Sequence, residues 1–314
     1  MCQIQFLMNL RGNLIPRDIQ QFCKLMNQGS MENPDSFGFF NSRFSVKKAG
    51  GFKSDDMNRN EILNDTFLVG HNRKATTGDP KDNENNHPFE LGDFLLVHNG
   101  MINNHTVLRE MFTIPEKPET DSFVILWLIN HFFKESESNS RHKNIMHGIK
   151  KACSKLDGWY SVFLFDRQSR NLYYFRNRHA RFVFALFDDD VIAGTTDEDN
   201  LENIYVNGRY IFKSPCFGNK VMAEPEAESI YLINDEVKII KVGEFSDGND
   251  APTLPGESLQ EFYTISGDSW ILEQCAMDLL TDRLGYCPEL EMSGKDILRI
   301  KADSTIEKNI DMLC

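Results

Sequence analysis

The chain has 314 residues, enough for one large domain or two smaller ones with a sizeable core. It is 40% hydrophobic and 26% charged with a net charge of −13, which fits a globular protein and argues against a general nucleic-acid or anionic-membrane surface. No stretch approaches ~18 uncharged apolar residues, so no transmembrane helix is expected.

The N-terminus (Met1-Cys2-Gln3-Ile4-Gln5-Phe6) has no basic segment followed by an apolar one, so it does not read as a signal peptide. The seven cysteines (Cys2, Cys23, Cys153, Cys216, Cys275, Cys287 and Cys314) are scattered and contain no CxxC pair. Reduced thiols in a cytoplasm are expected, with no zinc site and no disulfide framework. Cys23, Cys153 and Cys275 are expected to be buried as small apolar residues.

In chain order, residues 2–10 read as a strand. Pro16 then opens a helix whose apolar positions Ile19, Phe22, Leu25 and Met26 recur at helical spacing, with Gly29 placed to end it. Residues 36–40 and 66–70 read as strands, and 50–64 as loop or short helix. Residues 72–86 read as a long polar loop, of the kind that is usually functional or mobile. Residues 94–97 form another strand, and Asn99-Gly100 after it is a tight-turn dipeptide. Three helices are predicted at 104–111, 120–134 and 143–156. The middle one is apolar almost all round and should be buried. Strands follow at 159–166, 172–176, 182–187, 191–194, 229–233 and 237–242, separated by turn residues. A Gly-, Pro- and Ser-rich stretch at 243–258 reads as a linker or long loop. Beyond it, 269–284 reads as an amphipathic helix within a C-terminal extension, 259–314, that shows no recognisable chemistry.

Cys2 follows the initiator methionine directly. If Met1 is removed, one Cα carries both a thiol, which titrates near ~8.5, and a free α-amine, near ~7.7–8.0. That is a nucleophile with its own base. Three further segments accompany it. These are Gly70-His71-Asn72-Arg73-Lys74-Ala75-Thr76-Thr77-Gly78 with His87-Pro88-Phe89 downstream, Val97-His98-Asn99-Gly100, and Glu119-Thr120-Asp121-Ser122. Asn33-Pro34-Asp35-Ser36-Phe37-Gly38 belongs with them. Each has a plainer reading. Arg73 suits a surface ion pair, Thr120 and Asp121 a helix start, and Asn99-Gly100 a turn. His71, His87 and His98 are spaced unlike a metal site and read as hydrogen-bonding core or loop-positioning residues, with no metal expected.

In this order and spacing, the motifs resemble the class II glutamine amidotransferase domain, an N-terminal-nucleophile hydrolase, over roughly residues 2–240. The nearest likeness is to the glutaminase half of glucosamine-6-phosphate synthase. The resemblance implies an α+β fold, the four-layer αββα sandwich, over residues 1–242. It implies hydrolysis of L-glutamine through a Cys2 thioester, with no cofactor. By the same resemblance, Cys2 attacks and its α-amine moves the proton. The Asn99 side chain and the Gly100 backbone N–H stabilise the oxyanion, and glycine at 100 permits close approach. Arg73 grips the substrate α-carboxylate with its planar fork, Asp121 holds the α-ammonium, and Thr76 and Thr77 line the pocket.

Two positions depart from the pattern. Lys74 stands where the synthase usually has tryptophan, and Thr77 where it has histidine. No sugar-phosphate isomerase domain and no phosphate-binding GxxxxGK[ST] run follows. The expectation is a stand-alone, cytoplasmic glutaminase passing ammonia to an acceptor on a separate synthase subunit, with no nucleic-acid or membrane partner. The alternatives are a silent scaffold or regulatory subunit of the same fold, or an N-terminal-nucleophile amidase acting on another amide.

Overall fold

A computed structural model describes residues 2–58, 62–63, 65–187, 191–204, 212–214, 218–220, 222–233, 239–248, 251, 290–293 and 297–300. The chain forms two compact units, 1–252 and 253–314. The first begins with β1 (Gln3–Asn9), α1 (Pro16–Glu32), β2 (Ser36–Phe40), β3 (Ser45–Ala49), β4 (Phe67–Arg73), β5 (Phe89–Leu91) and β6 (Phe94–Ile102). Next come α2 (His105–Phe112), α3 (Asp121–Glu135), α4 (Arg141–Lys155), β7 (Gly158–Asp166), β8 (Asn171–Arg176), β9 (Val183–Phe187), β10 (Val191–Thr195) and α5 (Glu198–Ile204). Short strands β11 (Phe212–Ser214), β12 (Gly218–Lys220) and β13 (Met222–Ala223) precede β14 (Ser229–Ile233) and β15 (Ile239–Glu244). In the second unit, β16 (Leu290–Ser293) and β17 (Ile297–Ile300) pair as an antiparallel ribbon. The helix expected at 269–284 lies outside the described residues.

Two antiparallel sheets dominate the first unit, in strand orders β13-β9-β10-β1-β4-β2-β3 and β15-β14-β8-β7-β6-β5. They are buried on both faces, which is why their strands read as apolar runs rather than alternations. Along β1, Ile4, Phe6 and Met8 point into the layer between the sheets, while Leu7 points to the layer under α1. Along β6, Leu95 and Val97 enter the inter-sheet layer, and Phe94 and Leu96 face the helices. The Phe6 and Phe163 rings stack across that layer, 5.3 Å apart. Outside, Phe22 and Met26 of α1 cover one sheet, and Val124, Ile125 and Leu128 of α3 with Ile149 of α4 cover the other. The result is the four-layer αββα sandwich.

Three departures from the sequence reading have physical reasons. Gly29 does not end α1, which runs on to Glu32. A Cβ at Gly29 would meet Asn72 Oδ1 at 2.4 Å, so glycine is there for close approach to the sheet. The helix ends where Asn33 bonds back to the Gly29 carbonyl, just ahead of Pro34. Asn99-Gly100 is not a turn. Both residues lie inside β6, opposite Ser161 and Tyr160 of β7. The linker does not begin at 243. β15 reaches Glu244, Phe245 is buried, and Asp247 accepts from Tyr160 Oη (2.6 Å) and Asn177 Nδ2 (2.9 Å).

Candidate active site

β1 lies in the middle of its sheet, between β10 and β4, and this fixes the residue just ahead of it. The Ile4 backbone N–H donates to Thr196 Oγ1 at 3.1 Å, and Gln3 Nε2 donates to both Glu32 (2.8 Å) and Asp197 (2.9 Å). Cys2 is therefore held at the end of a rigid strand. It stays partly exposed, and its thiol donates to the Lys74 carbonyl at 3.3 Å. Enclosure of the sulfur pushes the thiol above its ordinary range, against the pull of the Arg73 charge. At neutral pH this thiol is protonated and needs a base to become a nucleophile.

Arg73 ends β4, opposite Ser36 of β2, and is only 3% exposed. Its Nη1 donates to Asn86 Oδ1 at 2.9 Å, and its Nη2 donates to the carbonyls of Thr77 and Gly78, the latter at 3.2 Å. All three acceptors are neutral, and no ion pair to Arg73 is present among the described residues. Burial draws its pKa down, opposed by the charges of Cys2, Asp121, Asp35 and Asp79, none of which is a hydrogen-bonded partner. Arg73 is thus not a surface ion pair, as its residue type alone would suggest.

Asn99 is buried, and its side-chain amide donates to the backbone carbonyl of Cys2, which places β6 of one sheet against the start of the other. Gly100 has φ +149°, and a Cβ there would come within 2.0 Å of the Trp159 carbonyl. Close approach of β7 is what requires glycine. Asp121 opens α3. Its Oδ2 accepts from the Ile102 backbone N–H and its Oδ1 from that of Ser122, both at 2.9 Å. Thr120 makes no side-chain cap, and its buried hydroxyl has no partner.

Cys2, Arg73, Asn99 and Asp121 therefore come to one place from the start of β1, the end of β4, the interior of β6 and the start of α3, with Gly100 beside Asn99. Thr76 and Thr77 differ from them. Thr76 is exposed, and Thr77 meets Arg73 through its backbone carbonyl rather than its hydroxyl. Lys74 likewise meets Cys2 through its backbone carbonyl, a role open to any side chain.

The three histidines of the motifs are all buried. The His71 and His87 rings lie 3.8 Å apart, His71 Nε2 bonds the His98 carbonyl at 3.0 Å, and His98 Nδ1 bonds Ser122 Oγ at 2.9 Å. Burial first, and the Arg73 charge with it, pushes His71 down to about 3, and burial with the neighbouring His71 and His98 holds His87 well below its ordinary value. Burial lowers His98 too. They form a neutral wall behind Arg73. Among the described residues no group of three or more His, Cys, Asp or Glu is arranged to hold a metal ion.

Sequence reasoning missed two asparagines. Asn85 accepts from the Glu119 backbone N–H (2.9 Å) and donates to the Asp79 carbonyl (3.3 Å), tying the loop after Arg73 to the segment before Asp121. Asn86 holds Arg73 itself. Two amides in an Asn-rich loop carry no local signal that separates them from solvated neighbours.

Two antiparallel sheets between helical layers, with a cysteine at the head of a central strand, give the fold class of the N-terminal-nucleophile hydrolases. The fold agrees with glutamine phosphoribosylpyrophosphate amidotransferase from B. subtilis, complexed with ADP and GMP. The TM-score is 0.54 at 16% identity, over 78% of this chain and 49% of that one. Residues 71–196 match the glutamine amidotransferase domain family. The glutamine–fructose-6-phosphate aminotransferase [isomerizing] of Listeria innocua is 32% identical over 268 residues, 78% of this chain and 43% of that protein. The protein of the same name from Streptococcus agalactiae is 29% identical over 159 residues, 48% of this chain and 26% of that protein. The chain carries a class II glutamine amidotransferase domain. It matches less than half the length of these relatives. No helix among the described residues is long and apolar enough to cross a membrane.

Proposed function

We propose that this domain, once Met1 is removed, hydrolyses L-glutamine to glutamate and ammonia at Cys2. The observation that carries the reading is Arg73: a buried guanidinium with only neutral partners, next in sequence to the carbonyl that receives the Cys2 thiol. A buried cation without a counter-ion is costly, so a site that keeps one is suited to an anionic ligand. A free amino acid brings that anion as its α-carboxylate and brings an α-ammonium that Asp121 complements. A glutamine side chain within a protein brings neither.

In this reading the α-amine of Cys2 takes the thiol proton as sulfur attacks the carboxamide carbon. The amide donors of Asn99 and Gly100 stabilise the oxyanion, each worth about 2.7–4 kcal/mol of barrier. The C–N bond then breaks, the amine returns its proton to the leaving ammonia, and water cleaves the γ-glutamyl thioester to glutamate. Ammonia passes to an acceptor on another domain or a partner protein.

The test is intact mass together with glutamate release by the purified chain, comparing wild type with Cys2→Ala. Loss of Met1 and release that vanishes in the variant are expected. A chain that retains Met1 and releases no glutamate refutes the catalytic reading.

A further inference from the structure

We infer that Asn86 is the positioning residue that presents Arg73 to the substrate α-carboxylate as a cation with no internal counter-ion, an inference that rests on the glutamine-hydrolysing reading above. Asn86 is fully buried, and its amide is fully used. Oδ1 accepts from Arg73 Nη1 at 2.9 Å and from Ser36 Oγ at 2.7 Å. Nδ2 donates to the Pro80 carbonyl at 2.8 Å and to Asn83 Oδ1 at 3.1 Å. The partners fix which end is oxygen, since a guanidinium only donates and the Pro80 carbonyl only accepts. One side chain thus joins β2, β4 and the loop over residues 80–83 at the point where the guanidinium is held.

The residue type matters as much as the place. An acceptor this close to a buried guanidinium would ordinarily be a carboxylate, and Asp is nearly isosteric with Asn. The chain has acids in the neighbourhood, but none of them hydrogen-bonds or ion-pairs with Arg73 among the described residues, and each is oriented by backbone N–H groups. Asp35 accepts from Ala75 (2.8 Å), Asp79 from Lys81 (2.9 Å), and Asp121 from Ile102 and Ser122. Asn86 therefore fixes the Arg73 fork without neutralising it. Of the five guanidinium N–H groups, three are spent on Asn86, Thr77 and Gly78, which leaves Nε–H and one Nη1–H without a bond among the described residues.

The experiment compares wild type, Asn86→Asp and Asn86→Ala on L-glutamine and on its analogue with an α-carboxamide in place of the α-carboxylate. Asn86→Asp is expected to raise KM for glutamine by at least about tenfold, because its carboxylate competes with the substrate's for Arg73. The same variant should leave kcat/KM on the neutral analogue within about threefold, so the preference for the free acid collapses. Asn86→Ala should raise KM for glutamine less than Asn86→Asp does, although it removes more atoms. A purely structural role, in which the Asp oxygen merely faces the Pro80 carbonyl and Asn83 Oδ1, predicts equal losses on both substrates.

An unchanged glutamine KM in Asn86→Asp, or parallel losses on the two substrates, overturns the proposal while leaving the glutaminase reading intact. A processed wild type that neither releases glutamate nor binds L-glutamate by calorimetry overturns that reading and this role with it. Thermal melts accompany each variant. Should neither Asn86 variant fold, Ser36→Ala, which frees the amide to turn, decides by whether glutamine KM rises at least about threefold or stays at the wild-type value.

Discussion

The Asn99 side-chain amide donates to the backbone carbonyl of Cys2, so a residue inside one sheet grips the residue that begins the other. Strand pairing with β7 holds the Asn99 backbone, and the β10 and β4 ladders hold the chain after Cys2. In the proposed mechanism, nucleophile and oxyanion donor are thereby set by two rigid sheets rather than by loops. Asn99→Ala is expected to lower kcat for glutamine by about 10²–10³-fold with little change in KM, since the lost interaction forms in the transition state. Steady-state kinetics of glutamate release checks this, and an equal loss through KM would place Asn99 in ground-state binding instead.

Arg73 predicts the reverse pattern. Removing one member of a buried charge pair costs about 2–5 kcal/mol, so Arg73→Ala should raise KM for glutamine by roughly 30- to 5000-fold. Arg73→Lys should recover little of that. An ammonium cannot span Asn86, Thr77 and Gly78 and still face a ligand. The measurement is KM across the three proteins. A lysine variant with wild-type KM would show that charge alone suffices.

Gly100 is a steric prediction. A Cβ there overlaps the Trp159 carbonyl, backbone against backbone, so β7 must move away from β6. Gly100→Ala should cost about 1–3 kcal/mol of stability, read by urea denaturation, and should lower kcat as well because the oxyanion strand shifts.

The three histidines predict an acid limb of stability. Each is held neutral in the fold, with His71 at about 3, whereas an unfolded histidine titrates near 6.5. Between those values the unfolded state binds more protons, so stability is full above about pH 6.5 and falls as pH drops below it. Each histidine contributes a slope of at most about 1.4 kcal/mol per pH unit. Denaturation midpoints at pH 5–6.5, above the carboxylate range, isolate the effect. His87→Gln should flatten the slope by about one proton, and an unchanged slope would mean that His87 titrates normally.

Much of this was legible in the sequence, for identifiable reasons. Strands such as Ser36–Phe40 and Ser229–Ile233 stand between turn residues, and α3 is apolar on every side because it lies against both a sheet and α4. Cys2, Arg73, Asn99 and Asp121 could be singled out because each sits in a short motif. What was not legible depends on contacts between distant residues. Gly29 and Asn99-Gly100 carry the local signals of a helix end and a turn. The glycines answer instead to Asn72 and Trp159, from other strands. Asn86 looks like any polar loop residue until Ser36 and Arg73 are brought to it from 50 and 13 positions away. The loop after Arg73 reads as uniformly polar, yet its Thr77 and Gly78 carbonyls face inward to a guanidinium.

Tyr160 sits opposite Gly100 in the β6–β7 ladder, and its hydroxyl is bonded to Asp247. Phe245 is buried against the Tyr160 and Phe175 rings, and the Gly248 N–H donates to the Cys153 carbonyl. The last few residues of the first unit thus work as a clasp on the back of β7, the strand paired with the one that holds Asn99 and Gly100. Where a truncated fragment is cut then matters out of proportion to its length. Ending it at 242 removes the clasp, uncovers two aromatic rings and takes away the carboxylate that accepts from the buried tyrosine hydroxyl, whereas ending it at 252 retains those residues.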